Sequence, residues 1–494
     1  MDSFDLLIIG GGINGAAIAR DAAGRGFDVL LVEKDDLASH TSSASSRLIH
    51  GGLRYLEQYD FRLVREALHE REILLRTAPH IVRPLRFVLP DPPGGRPFWL
   101  IRAGLLLYDW LARGGTLPRS RAAGAKDAEL SAPLKSAGFR LATYWDAWVD
   151  DSRLVALNAL DAAERGAQIA TRTEFISGRR EGDAWTALLS GGRNVRAAAI
   201  VNAAGPWVAD LLRQRLGADT KSAVRLIKGS HILVRRLWEG DHAYILQQKA
   251  DGRVVFALPH GEFSLIGTTD VPVKRPEDAV IDAGEIAYLC AAANAYFARE
   301  IVPADVIWSY AGVRSLHDDG AADAKDVSRD YHLELDPTPG PKLLSVFGGK
   351  ITTARALALE ALDAMGIGGL KFTAGTSLPG GNVSLVFNQR LEELASWLPA
   401  PLLRRLAHAY GTRIDSLLGD SASLADLGRH FGAGLYEAEV RYLIDIEFAR
   451  TADDMLWRRT KLGLEMKKAE QAELSRWLEA LPLDGGGLGG GERQ

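Results

Sequence analysis

The N-terminal segment of the chain carries the pattern of a nucleotide-binding β-α-β unit. A strand-like run over residues 6–9 leads into Gly10-Gly11-Gly12-Ile13-Asn14-Gly15, and a second run over residues 29–32 ends at Glu33. A Gly-x-Gly-x-x-Gly turn between a buried strand and a helix lets backbone N–H groups approach a diphosphate at the positive end of the helix. An acid after the second strand accepts an adenosine ribose hydroxyl and repels a 2′-phosphate. The pattern predicts binding of FAD or NAD rather than NADP.

Length and composition limit the class of protein. The chain has 494 residues, enough for two or three domains, and a net charge of -4, which does not favour nucleic acid as a partner. Its single cysteine, Cys290, excludes a disulfide framework, a Cys-x-x-Cys relay or an iron–sulfur cluster built from this chain. Electrons must therefore pass through an organic cofactor. The first four residues lack a basic segment, so we expect no signal peptide and a cytoplasmic location.

One segment has a composition suited to a membrane surface. Residues 97–111 are rich in aromatic residues and leucine, and arginines outnumber acids between residues 83 and 121. Apolar and basic side chains together favour shallow insertion among anionic headgroups. A core helix with solvated arginines is the alternative interpretation. No run reaches the roughly 18 apolar residues of a spanning helix, so the expected association is peripheral.

A hydroxyl-rich segment follows the nucleotide unit directly. Residues 41–55 read Thr-Ser-Ser-Ala-Ser-Ser-Arg-Leu-Ile-His-Gly-Gly-Leu-Arg-Tyr. Such runs are commonly loops, but this one lies where a cofactor diphosphate would leave the first helix, so its hydroxyl and N–H groups can satisfy phosphate oxygens. The glycine pair after His50 lets the backbone come close to a ring system.

Seven linked motifs extend over nearly the whole chain and into its C-terminal part. They lie at residues 10–15, 42–56, 227–231, 266–270, 310–314, 345–353 and 453–461. Together they resemble the FAD-dependent, membrane-associated glycerol-3-phosphate dehydrogenases. The resemblance implies FAD as cofactor, oxidation of sn-glycerol 3-phosphate to dihydroxyacetone phosphate, and transfer of electrons to a quinone at the inner face of the cell membrane. The oligomeric state is left open, with a homodimer as one option.

The fold class expected from these patterns is α/β. A Rossmann-like FAD-binding domain of the glutathione-reductase and amino-acid-oxidase type is joined to an antiparallel β substrate-binding layer and an all-α C-terminal domain, with residues 389–479 helical throughout. The predicted boundaries are 1–85, 145–224 and 305–375 for the FAD-binding domain, 86–144 and 225–304 for the substrate-binding and membrane-facing region, 385–480 for the C-terminal domain, and 481–494 for a disordered glycine-rich tail.

The predicted substrate site needs fixed cations for a phosphate dianion. Arg54 and Arg314 are the candidates, with the hydroxyls of Tyr55 and of Thr268 or Thr269 as neutral donors. A structural ion pair of Arg314 with Asp318 or Asp319 is the alternative.

Oxidation at C2 also needs a base close to the C2 hydroxyl. His50 is the first candidate and His231 the second, and Lys350 or an arginine-bound water is a further option. Lys350 and Thr352, expected in the first turn of a helix after Gly349, would supply positive potential for the reduced flavin. No metal ligands are predicted. The predicted cofactor-binding residues are Gly10, Gly12, Asn14, Gly15, Glu33, Thr41, Ser42, Ser46, Leu48, His50, Ala204, Gly205, Gly349, Lys350 and Thr352.

Two other functions fit parts of the sequence. A flavin oxidase acting on glycerol 3-phosphate or an amino acid would pass electrons to oxygen and needs no membrane contact. A non-catalytic FAD- or NAD-binding module would show the same glycines and Glu33, but it has no need of His50, Arg54 and Arg314 together.

Overall fold

The structure is a computed structural model of the chain. It describes residues 1–56, 60–91, 97–124, 127–135, 139–220, 222–248, 252–318 and 330–481, and it gives the backbone but not the side chains of Arg54 and Tyr55. The predicted disorder of the glycine-rich tail falls almost entirely outside these residues, as does Asp319.

Two large sheets organise the described residues. The strands are β1 (Asp2–Ile9), β2 (Val29–Val32), β3 (Leu48–Ile49), β4 (Val82–Asp91), β5 (Arg121–Ala122), β6 (Arg140–Val149), β7 (Gln168–Ala170), β8 (Phe175–Glu181), β9 (Ala184–Leu189), β10 (Asn194–Asn202), β11 (Val224–Arg235), β12 (Ala243–Gln247), β13 (Val254–His260), β14 (Phe263–Gly267), β15 (Val271–Pro272), β16 (Trp308–His317), β17 (His332–Leu335), β18 (Lys342–Phe347), β19 (His430–Gly432) and β20 (Leu435–Tyr436).

The helices lie on the faces of these sheets and in the C-terminal part. They are α1 (Ile13–Gly24), α2 (Phe61–Thr77), α3 (Phe98–Leu111), α4 (Ala128–Ser131), α5 (Asp151–Glu164), α6 (Val208–Arg215), α7 (Ala283–Asn294), α8 (Ala354–Ala364), α9 (Leu385–Leu394), α10 (Ala400–Tyr410), α11 (Ile414–Leu418), α12 (Glu437–Asp445) and α13 (Lys468–Glu479).

The first sheet is the nucleotide-binding sheet. Its main path runs β17-β18-β10-β1-β2-β7, and the pairs from β18 to β7 are parallel, whereas β17 and the β8-β9 hairpin are antiparallel. Parallel strands buried on both faces explain the continuous apolar runs of β1 and β2. Helices α1, α5 and α8 pack together on this sheet. The sheet therefore brings β1, β10 and β18 side by side although they lie far apart in the sequence.

The second sheet forms the antiparallel layer. Its path runs β15-β11-β14-β13-β12-β4-β6-β3, with β16 paired to β11 and β5 to β6, and β12 with β4 is the parallel exception. The predicted strands between residues 225 and 270 are present and antiparallel. Strand β11 lies between β14 and β16, so residues from three sequence motifs meet at its centre.

Helix α3 has one buried and one exposed face. Leu105 and Tyr108 are fully packed, whereas Trp99, Leu106 and Trp110 are 71%, 58% and 60% exposed. The helix packs on the protein and also presents large apolar side chains outward, and its role at a membrane stays a prediction. No helix in the described ranges combines the length and hydropathy needed to cross a bilayer.

The C-terminal part is mainly helical and has its own apolar core. The prediction of helix throughout residues 389–479 was wrong in one detail, because β19 and β20 form a short antiparallel hairpin before α12. The turn over 432–434 has positive φ at Gly432, Ala433 and Gly434. A glycine-containing turn between two short runs favours a hairpin over a continuous helix. The predicted domain boundaries stay predictions.

Candidate functional site: a dinucleotide cradle beside an arginine-containing sheet face

The glycine motif forms a cradle with backbone–backbone packing that only glycine permits. A Cβ on Gly15 would lie 1.9 Å from the carbonyl oxygen of Gly10, and one on Gly10 would lie 2.5 Å from that of Ala203. Gly10 also has φ of 114°, a conformation that side chains disfavour. The turn therefore holds β1, α1 and the end of β10 in close contact.

A cavity of about 270 Å³ opens at this cradle. Its lining includes these residues predicted to bind the cofactor: Gly10, Gly12, Glu33, Thr41, Ser42, Ala204 and Gly205. Glu33 accepts hydrogen bonds from the N–H groups of Gly11 (2.7 Å) and Asp35 (2.9 Å), which fix its carboxylate. Ser42 Oγ accepts from Ile13 N at 3.0 Å, in the first turn of α1. Exposed glycine backbone, hydroxyls and a fixed carboxylate fit the diphosphate and ribose of a dinucleotide.

A second set of predicted cofactor residues lies where α1 meets the turn after β18. Asn14 Nδ2 donates to Gly348 O at 3.1 Å, and a Cβ on Gly349 would lie 2.7 Å from the same Asn14 nitrogen. Thr352 is buried in a 3-10 turn that precedes α8. The prediction that Lys350 lies in the first helical turn was wrong, because Lys350 has extended backbone angles just before that turn. The glycine turn follows β1 and the Gly348-Gly349 turn follows β18, and only β10 separates these two strands in the parallel sheet. Residues that are distant in the sequence therefore meet here.

The loop over residues 41–47, which we call the flavin loop after the cofactor that the sequence predicts it contacts, is held from several sides. Asp151, at the start of α5, accepts from Ser45 Oγ at 2.7 Å, and Tyr310 donates from its hydroxyl to Ser45 O at 2.8 Å. Ser46 Oγ lies 2.9 Å from His231 Nε2 on β11. Leu48, next in the chain, is buried in β3. The loop thus joins the nucleotide-binding sheet to the antiparallel layer.

The predicted phosphate ligand Arg314 lies on β16 with Thr268 opposite. Its Nη2 donates to Thr268 Oγ1 at 2.9 Å, and its Nη1 is paired with Asp270. The alternative partner Asp318 pairs with Arg225 instead. Thr269 is buried and donates to Glu285 at 2.7 Å, so Thr268 is the threonine that faces Arg314.

The two histidine candidates differ in their surroundings. His231 is 2% exposed and stacks on Tyr310 with ring centroids 4.7 Å apart. Burial, followed by the charges of Arg314 and Arg47, lowers the pKa of His231 to about 3. His50 is half-buried and meets Phe256 edge-on. The backbone of Arg54 and Tyr55 forms a 3-10 turn over Leu53–Leu56, directly after the His50 segment.

Sequence reasoning missed the group that supports the His50 segment. Tyr108 of α3 accepts from Gly51 N at 2.9 Å and donates to the carboxylate of Asp146, which also accepts from Arg71 at 2.7 Å. Burial raises the pKa of Asp146 to about 6 against the opposing effect of Arg71. The sequence signal for this group is a single acid, Asp146, among the apolar residues of β6. The outward-facing helix α3 is thereby bonded to the backbone beside His50.

The C-terminal motif at 453–461 docks against the strand end that carries Glu33. Arg459 donates to both oxygens of Asp36 at 2.8 Å, and Arg458 donates to Asp36 at 2.6 Å. Arg153 of α5 forms a buried pair with Glu447. Because both contacts bury bidentate arginines, the C-terminal part is fixed beside the cradle.

Three buried histidines predict acid sensitivity. Burial lowers the pKa of His80 and His231 to about 3 and that of His242 to about 4, below their usual 6.5. The unfolded chain therefore binds more protons than the folded one below pH 6.5, and we expect the free energy of unfolding to fall from pH 6.5 to pH 4. Each histidine contributes up to about 1.4 kcal/mol per pH unit, and Asp146 opposes this below pH 6. Urea unfolding at several pH values measures the slope.

A pair of variants tests this linkage. His242→Gln should make the slope of unfolding free energy against pH less steep by about one proton, whereas His430→Gln, at an exposed position, should leave it unchanged. An unaltered slope in His242→Gln between pH 5 and pH 6 would refute the assignment.

Comparison with known proteins defines the class. Residues 5–355 match the family model described as FAD dependent oxidoreductase, and residues 372–481 match that of the C-terminal domain of alpha-glycerophosphate oxidase. The chain therefore belongs to the FAD-dependent oxidoreductases and, within them, to the glycerol-3-phosphate dehydrogenase family, as the motifs predicted. It is an enzyme of the FAD-dependent class, and FAD is its cofactor.

Individual relatives are similar over almost the entire chain. The chain is 50% identical to the glycerol-3-phosphate dehydrogenase of Pseudomonas aeruginosa, covering 97% of this chain and 95% of that one. It is 47% identical to the D-erythritol 1-phosphate dehydrogenase of Brucella abortus, covering 97% and 98%. The crystal structure of the glycerol-3-phosphate dehydrogenase from Bacillus halodurans, complexed with FAD, matches with a TM-score of 0.73 at 26% identity, covering 97% of this chain and 94% of that one.

Proposed function

We propose that the protein oxidises sn-glycerol 3-phosphate to dihydroxyacetone phosphate and passes the electrons to a membrane quinone. The observation that carries the proposal is the meeting of Arg314 on β16 and His231 on the neighbouring strand β11 with Thr268, which directly follows β14. His231 is joined through Ser46 to the flavin loop. FAD supplies the acceptor for the C2 hydride. The names of the relatives support a phosphorylated polyol as substrate.

In this proposal Arg314 holds the substrate phosphate. Its guanidinium already has an anionic partner in Asp270 and a neutral one in Thr268, and a phosphate dianion replaces or shares the first of these. Arg54 and Tyr55 are proposed as further phosphate ligands, since they follow the His50 segment. With the phosphate fixed, C2 and its hydroxyl lie toward the cofactor cradle.

The C2 hydroxyl proton must be removed as the hydride leaves C2, so that the alcohol becomes a ketone. A base acts best when its pKa is near the working pH, and the pKa of His231, lowered to about 3, makes it a poor proton acceptor. We therefore keep His50 as the first candidate and His231 as the second. Lys350, which directly follows Gly349, is proposed to place positive charge beside the flavin.

The base assignment gives a kinetic prediction. His50→Gln should lower kcat by at least about a hundredfold with little change in KM, because general-base catalysis contributes about that factor or more. Steady-state kinetics and the flavin absorption spectrum are measured together. If His50→Gln keeps the wild-type kcat and His231→Gln shows a large loss of kcat, the general base is His231 and not His50.

The direct test of the proposed activity is the visible spectrum under anaerobic conditions. Adding glycerol 3-phosphate should bleach the flavin band, and a water-soluble quinone analogue should restore it faster than air does. Fast peroxide production in air without need of quinone would favour the oxidase alternative. A spectrum unchanged by the substrate would refute the proposal.

A longer phosphorylated polyol is the second candidate substrate. The identity to the D-erythritol 1-phosphate dehydrogenase is 47%, close to the 50% for the glycerol-3-phosphate dehydrogenase, so overall identity does not separate them. Rates of anaerobic flavin reduction by D-erythritol 1-phosphate and glycerol 3-phosphate, each at saturation and at low concentration, decide between the two.

We also propose that α3 rests on an anionic membrane surface. Trp99 and Trp110 project outward, and aromatic side chains favour the headgroup region. Replacing both by alanine should lower binding to equimolar phosphatidylglycerol–phosphatidylcholine vesicles by about tenfold or more, measured by co-sedimentation. Leu385→Ala with Val386→Ala is the matched control, since these residues of α9 are 82% and 73% exposed. Equal losses in both double variants would contradict a role specific to α3.

A further inference from the structure

A second cavity lies at the junction of three parts of the protein. Its volume is about 330 Å³, and we call it the junction cavity. Most of its lining comes from the flavin loop and the residues before it, from the start of β16, and from the C-terminal motif. Pro206, Trp207, Pro276, Ala279 and Leu464 complete it, and five of its residues, Ser39, His40, Thr41, Pro206 and Trp207, also line the cavity at the glycine cradle. The side chains used below are Arg47, Trp308, Tyr310, Trp457, Arg458 and Lys461.

The junction cavity carries positive charge that the surrounding protein only partly neutralises. Arg47 is 4% exposed, and its Nη1 lies 3.0 Å from Nδ1 of His260, while its Nε has no hydrogen-bond partner within the described ranges. Burial and the nearby charges of Arg47 and Lys461 keep the pKa of His260 well below its ordinary value, so His260 is neutral. A buried guanidinium thus faces a neutral ring.

Lys461 adds a second cation. Its Nζ forms an ion pair with Asp151 Oδ1 at 3.6 Å, and Asp150 acts on it as a second negative charge. Burial lowers the pKa of the Lys461 ammonium. Arg458 is paired with Asp36 and Asp454. Arg47, which forms no ion pair with a described residue, therefore leaves the cavity short of negative charge.

Part of the wall is aromatic. Trp308 and Trp457 stack with ring centroids 4.9 Å apart and planes at 11°, and Tyr310 lies 5.2 Å from Trp308. The lining thus offers a ligand both cations and flat apolar rings. This combination fits a small organic anion better than an inorganic ion.

We propose that the junction cavity is a second binding site, for a small phosphate monoester, distinct from the substrate site. The guanidinium of Arg47 and the ammonium of Lys461 bind the phosphate, and the aromatic wall covers the carbon skeleton. The occupant bridges the flavin loop, which carries Arg47, and the C-terminal motif, which carries Lys461. Tyr310 separates it from His231, on which Tyr310 stacks.

Calorimetric titration of the flavin-loaded protein with phenyl phosphate tests the proposal, and inorganic phosphate is the second probe. Phenyl phosphate has no C2 hydroxyl to oxidise, so binding is read without turnover. Lys461→Met should weaken binding by at least about tenfold, since it removes a charge-assisted contact. Lys467→Met, an exposed neighbour, should bind as the wild type does. Trp457→Leu should weaken the binding of phenyl phosphate more than that of inorganic phosphate.

Arg314→Ala separates this site from the substrate site. This variant should bind phenyl phosphate at the junction cavity with unchanged affinity. Loss of binding in Arg314→Ala together with wild-type affinity in Lys461→Met would assign the ligand to the substrate site and overturn the proposal, as would the absence of heat at millimolar ligand. If Lys461→Met fails to fold, Trp457→Leu and Arg47→Gln serve in its place. Flavin bleaching by glycerol 3-phosphate in the same samples tests the proposed activity separately.

Discussion

Arg314→Ala is expected to leave a yellow, folded protein whose kcat/KM for glycerol 3-phosphate is lower by about three orders of magnitude, equivalent to about 4 kcal/mol. The loss has two sources. The variant removes the guanidinium proposed to hold the phosphate, and it takes away the cation that pairs with the Asp270 carboxylate at the same place, where that carboxylate repels a dianion. Most of the effect should appear in KM, measured by anaerobic flavin reduction across substrate concentrations.

Arg225→Ala is the matched control for this variant. Arg225 lies on β11, pairs with Asp318 at 2.8 Å and has a side chain 24% exposed, against 25% for Arg314. The same charge is therefore removed from the same sheet at equal exposure. Similar losses in both variants would mean that general positive potential, not a phosphate ligand, accounts for the effect of Arg314.

Gly15→Ala is expected to abolish retention of FAD during purification. The added Cβ would lie 1.9 Å from Gly10 O, so α1 must move away from β1 and the N–H groups of its first turn lose their position. We expect FAD affinity to fall by at least about a hundredfold, equivalent to about 2.7 kcal/mol. The ratio of flavin to protein absorbance and the FAD titration of apoprotein measure this.

Gly104→Ala is the control for the glycine prediction. Gly104 lies within α3, and a Cβ placed there would meet no atom of a described residue within 4 Å, apart from its chain neighbours and the backbone of its own helix. Alanine is the better helix former, so stability should be unchanged or higher by up to about 1 kcal/mol. Full FAD content in Gly15→Ala would show that the cradle tolerates the clash and would remove the basis for assigning FAD binding to this turn.

The position of the candidate site in the fold followed from strand order. Residues 266–270 and 310–314 were identified as motifs, yet their sequences carry no sign that Arg314 pairs with Asp270 while Thr269 turns to Glu285. Which of two adjacent threonines faces a site depends on the registers of β11 with its neighbours. Register is set by pairing across the whole sheet, so local spacing does not reveal it.

The sequence alone determined the elements whose signals are local. The glycine turn, the apolar runs of β1 and β2 and each of the motifs that mark the family depend on residues a few positions apart. Hydrophobic periodicity and glycine spacing are properties of a single turn or strand, so they can be recognised in the sequence without a structure.

Only the tertiary structure decided which distant residues meet. The bond from Asn14 to Gly348, the support of Gly51 by Tyr108 and Asp146, and the junction cavity join segments that lie far apart in the chain. Such contacts arise from the order of parallel strands and from the docking of the C-terminal part. Neither of these produces a periodic pattern in the sequence. Burial then sets the charge state of these groups, which is why the low pKa of His231 could be known only from the folded protein.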